Sequence, residues 1–133
     1  MTLVADKYVA VSESEYDVDT GIDLLNGCDV DIAASGSIWS GVWFTGRNGP
    51  EGWHGYVAGP DKPLPGSPPF SLIGKTAQDG YFFIGAGLHQ TFFNATVPNE
   101  GTRLYLRIND DVPNNGNGQF MVHVQVWKGQ RAA

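Results

Sequence analysis

Gly118-Gln119-Phe120-Met121-Val122-His123-Val124-Gln125-Val126-Trp127 is the most regular stretch of this chain. Phe120, Val122, Val124 and Val126 fall on one face of an extended backbone, and Met121, His123, Gln125 and Trp127 on the other. A period of two is the pattern of a β-strand with one buried face. The same alternation recurs upstream. Leu104, Leu106 and Ile108 alternate with Arg103, Tyr105 and Arg107, and Val30, Ile32 and Ala34 with Asp29, Asp31 and Ala33. Residues 3–12, 70–76, 81–85 and 90–97 carry further strand signals. Turn residues such as Asn26-Gly27, Asp79-Gly80 and Asn99-Glu100-Gly101 separate these runs. From Gly21 onward Gly or Pro interrupts at short intervals, leaving little room for helices. With no helices to cover a parallel sheet, seven or eight short strands are expected to run antiparallel and pack as an all-β, two-sheet sandwich.

Composition agrees with one domain over residues 1–133. Apolar residues make up 41% of the chain, too many for wholesale disorder. The net charge of −6 leaves no electrostatic footprint for nucleic acid and no polybasic membrane anchor. A single cysteine, Cys28, excludes an internal disulfide. The first residues show no signal-peptide pattern, and no apolar run reaches the length of a membrane-spanning helix.

Two segments break the strand pattern. Residues 45–69 form a long Gly/Pro-rich loop that also holds Trp53, His54 and Tyr56. Loops of this length in compact domains are functional or disordered, and aromatics argue for order, so Trp53 and His54 are expected at a ligand rim. The second segment is Asn109-Asp110-Asp111-Val112-Pro113-Asn114-Asn115-Gly116-Asn117-Gly118, in which six of ten residues are Asp or Asn. Calcium takes oxygen ligands from carboxylates, amides and carbonyls, and such a loop supplies them within one turn. A plain polar hairpin uses the same residue types, so composition leaves both readings open. The helical calcium-loop pattern is not followed.

Four stretches in order together resemble the bacterial PA-I (LecA-type) galactose-binding lectin family. They are Asp19-Thr20-Gly21-Ile22-Asp23 leading to Asp29-Val30-Asp31-Ile32; Ala34-Ser35-Gly36-Ser37-Ile38-Trp39; Pro63-Leu64-Pro65-Gly66 followed by Leu72-Ile73-Gly74-Lys75; and Leu104-Tyr105-Leu106-Arg107-Ile108-Asn109-Asp110 leading to Gly118-Gln119-Phe120. The resemblance implies a jelly-roll-like sandwich with one calcium at an end of the sheets, its shell completed by two hydroxyls of a galactoside-type glycan. Carried over position by position, it implies Asp110 as carboxylate ligand, with Asp111 as the alternative, and Asn115 as amide ligand. Gly116 stands where the family has a further side-chain ligand, and Asn117 is next in line. Backbone carbonyls are implied near Trp39 or Ser40 and within Val112–Asn114. His54 occupies the loop in which the family places a sugar-contacting histidine, with Trp53 beside it.

Trp39 and Trp43 share a face if the strand continues through both, as a sugar platform or as packing. Trp127 lies on the outward face of the last strand and is expected to mark a subunit contact of a homo-oligomer. His89 and His123 read as exposed or packing residues, and Cys28 as an unreactive thiol. No Gly-x-Ser-x-Gly elbow or convincing carboxylate pair supports an enzyme. Two functions follow: a calcium-dependent galactoside-binding module, or a metal-free sandwich serving as a structural or protein-interaction unit.

Overall fold

The computed structural model describes residues 2–13, 15–25, 27–92, 102–111 and 116–128. Eight strands run in chain order: β1 (Thr2–Ser12), β2 (Val18–Leu24), β3 (Cys28–Trp39), β4 (Leu72–Thr76), β5 (Gly80–Phe83), β6 (Gly87–Phe92), β7 (Thr102–Ile108) and β8 (Asn117–Lys128). They form two four-stranded sheets, ordered β1-β8-β3-β6 and β2-β7-β4-β5, and the paired strands are antiparallel. This is the expected all-β sandwich.

The alternation in β8 does what its period dictates. Phe120, Val122, Val124 and Val126 are buried between the sheets, with Val30 and Ile32 of β3 on the same inner face. Leu104, Leu106 and Ile108 of β7 and Leu72 of β4 answer from the opposite sheet. At roughly 1.5–3 kcal/mol for each fully buried aliphatic or aromatic side chain, this double layer is the main favourable contribution to folding. A one-residue slip of β8 would turn all four apolar side chains outward, so burial pins the register.

Three strand limits differ from the sequence reading. β4 begins at Leu72 rather than at residue 70, because Phe70 adopts φ +62°, outside extended space. β5 ends at Phe83, and Gly85 turns the chain with φ +66°. β6 starts at Gly87, ahead of the expected run; residues 93–97 of that run lie outside the described residues.

On the outward face, His123 stacks on Tyr8 (ring centroids 4.3 Å apart, 5° between planes), and its Nε2 lies 2.6 Å from Asp6 Oδ1. Trp127 is half-buried rather than openly exposed. Cys28 opens β3 and is buried, at 2% exposure.

Candidate functional site

Strand direction collects distant parts of the chain at one end of the sandwich. Ser12 pairs with Gln119, Trp39 with Asn117, and Leu72 with Ile108. The β1–β2 loop, the long 40–71 loop and the β7–β8 loop therefore emerge side by side. Glu13, Ser40, Asp110 and Gly116 all lie at this end.

Gly116 sits in a close-packed seam. Its N–H donates to Glu13 Oε2 at 3.0 Å. A Cβ added there would lie 1.8 Å from the Trp39 carbonyl oxygen, 2.7 Å from Gly41 N and 2.8 Å from the Ser40 carbonyl carbon. The absence of a side chain at 116 thus has a local cause: backbone of the 39–41 turn occupies the space. Glu13 is 1% exposed and was missed by the sequence reading. Its signal was present, since Val9, Val11 and Glu13 continue one face of β1 and set an acid at an inward position.

Asp110 is 4% exposed, and its N–H donates to the Ile108 carbonyl at 2.8 Å, curling the chain just past β7. The Asp110 carbonyl accepts from Arg107 Nη2 at 3.1 Å. Asp111 points elsewhere: Lys62 Nζ lies 2.7 Å from its Oδ1. That bond holds the Asp111 carboxyl below the usual carboxylate range. For Lys62, burial works against the charged form, but hydrogen bonds to Asp111 and Asp61 win and raise its pKa. The Asn117 amide oxygen accepts from Arg47 Nη1 at 2.8 Å. Ser40 is fully buried and its Oγ accepts from Val42 N at 3.4 Å. Asn115 and the Val112–Asn114 carbonyls lie outside the described residues.

Asn109 acts as a strap. Its backbone bonds to Ser71 and Phe70, and its side chain bonds to Leu64 and Pro68, so the long loop is tied to the end of β7. This tether fixes where the loop lies, which composition does not tell. Trp53 packs on Phe70 (4.7 Å between centroids) and edge-on to Tyr56 (5.4 Å). With His54, Thr45, Arg47 and Asn48 it lines an open cleft of about 380 Å³. His54 is 86% exposed by side chain, 3.6 Å from Glu51. The structure brings His54 and Trp53 into one cleft, while Trp39 lies at the end of β3, its indole N–H donating to the Val42 carbonyl at 3.3 Å. Trp43 lies beyond β3 in a turn, so the strand face it was expected to share with Trp39 does not reach it.

Among the described residues no three His, Cys, Asp or Glu side chains converge as a metal cluster. A calcium shell built mainly from amide and carbonyl oxygens does not require one.

The two four-stranded antiparallel sheets define the class of fold, an all-β sandwich with its long loops gathered at one end. The N-terminal domain of EclA, described as a PllA-like lectin, superimposes with a TM-score of 0.60, covering 95% of this chain and 98% of that one at 24% identity. The likeness is one of fold. No family model and no curated protein matches the chain.

Proposed function

We propose that the chain is a carbohydrate-binding module that holds one calcium at the loop-built end and binds galactosides through it, without catalysing a reaction. The observation that supports this reading most is the placement of two buried acids, Glu13 and Asp110, at the end where the Asp/Asn-rich 109–118 segment meets the Trp39 turn. Buried carboxylates need hydrogen bonds, paired cations or a metal to offset lost hydration. Asp110, Asn115 and backbone oxygens near Trp39 and Ser40 are the proposed ligands, and Asn117 and Asp111 are reserve positions now engaged by Arg47 and Lys62. The similar fold of a PllA-like lectin domain supports sugar as the ligand class.

The physical reason for the metal is hydration. A neutral sugar is well solvated, so exchanging water for ordinary hydrogen bonds gains little. A hard cation with two open positions takes two hydroxyl oxygens together, and only a diol of suitable spacing fits. His54 and Trp53 would then contact the ring from the adjoining cleft. Self-association would multiply weak single sites through avidity.

Titration calorimetry and melting curves on chelator-treated protein test this. Calcium is expected to bind, to raise the melting temperature, and to be required for galactose binding; Asp110→Asn is expected to abolish all three effects. No heat with calcium and no shift in melting temperature would overturn the proposal. One observation favours the metal-free reading instead: the site of the further side-chain ligand expected after Asn115 is Gly116, whose Cβ space is filled by the Trp39 carbonyl.

A further inference from the structure

The turn that follows Trp39 and Ser40 presents three consecutive apolar residues to solvent. Val42 is 41% exposed, Trp43 80% and Phe44 fully so. The Trp43 and Phe44 rings stand 6.2 Å apart at 59°. Phe44 also has φ +64°. A bulky residue in left-handed space is strained by about 1–3 kcal/mol. Phe70, the other such residue among those described, is buried at 6% exposure against Trp53, so packing offsets its strain. Nothing of the kind offsets it at Phe44. The turn is held in place all the same: the Val42 carbonyl accepts from the Trp39 indole and from Thr45 Oγ1.

We infer that the Trp43–Phe44 tip is a stacking platform for a second sugar of an extended glycan, so that the module reads an oligosaccharide rather than a single residue. This rests on the reading of the loop-built end as a galactoside site. The tip is continuous with that end, because Gly41, from which the turn starts, packs on Gly116 beside Glu13. The chemistry suits a pyranose: its apolar face offers C–H bonds, and an aromatic face carries the negative part of the ring quadrupole. Two rings and a valine are too small for a stable protein interface, which needs about 800 Å² on each partner. A net charge of −6 opposes an anionic bilayer.

Calorimetry with galactose and with a galactose-terminated trisaccharide, in calcium, tests the inference on wild type, Trp43→Ala and Phe44→Gly. Wild type is expected to bind the trisaccharide about 5–10-fold more tightly, the factor that ~1 kcal/mol of aromatic stacking supplies. Both variants are expected to lose that preference while keeping galactose affinity within about twofold, the margin of a contact outside the first sugar's site. Phe44→Gly, which relieves the left-handed strain, is expected to melt no lower than wild type. Equal wild-type affinity for the two sugars, or variants that retain the preference, would overturn the platform and leave the galactoside reading standing. Binding of neither sugar would overturn that reading itself. Self-association of wild type that Trp43→Ala abolishes would overturn the platform in favour of a contact between copies.

Discussion

Gly116→Ala isolates the seam on which the candidate site is built. The added methyl would lie within 3.0 Å of three backbone atoms, at 1.8, 2.7 and 2.8 Å from Trp39 O, Gly41 N and Ser40 C. No flexible side chain can move aside, so either the 39–41 turn or the start of β8 must shift. Overpacking of this kind costs typically 1–3 kcal/mol, occasionally more. All three contacts are backbone, which places the expected loss near the top of that range, ~3 kcal/mol. With about 2.1 cal/mol/K of unfolding entropy per residue, a chain of 133 residues should melt ~10 °C lower. Gly46→Ala is the matched control. An added Cβ there meets nothing within 4 Å, and Gly46 is not among the left-handed glycines. That change should be neutral or stabilising by up to about 1 kcal/mol, through lower entropy of the unfolded chain. Urea unfolding of the two variants and wild type measures both. If Gly116→Ala and Gly46→Ala differ by less than about 0.5 kcal/mol, the ordinary scatter of surface changes, the steric account of the seam is wrong.

Acid and thiol chemistry give two further checks. Asp111 is held below its usual range by the bond from Lys62, so its stabilising contribution is complete above the unfolded value, about 3.9, and is lost as pH falls through the lower folded value. Urea midpoints between pH 6 and pH 2 should therefore fall less steeply below pH 4 for Lys62→Met than for wild type; identical pH profiles would remove Lys62 as the cause. Burial pushes the Cys28 thiol up and leaves it 2% exposed. A thiol-reactive dye at pH 8 should label the protein only on denaturation, and rapid labelling of native protein would show that β3 opens at its start.

Much of the scaffold could be read locally. Phe120 through Trp127 declare a half-buried strand because side-chain direction alternates whatever the partner, and Leu104 to Ile108 do the same. The Asp/Asn-dense loop between two strands is visible without coordinates, but composition leaves a turn and a metal loop both open, and Asp110 is singled out there only by the family resemblance. Glu13 carries a weaker signal, an acid that continues the inward Val9–Val11 face. Asp111 and Asp110, adjacent in sequence, looked interchangeable; a lysine 49 positions away separates them. Trp43 read as a possible strand residue because even spacing from Trp39 is all that sequence shows. Its release to solvent follows from β3 ending one residue before Ser40.

Residue order alone therefore determined the strands, their inward faces and the polar loop, since each depends on neighbours two to ten positions apart. Only the packed sandwich decided that Glu13 meets Gly116 across 103 residues, that Trp39 takes the space of a side chain at 116, and that Trp43 and Phe44 stand in water. Those outcomes depend on which strands pair and in what register. Pairing is settled by burial summed over both sheets, a quantity that no short window of sequence contains.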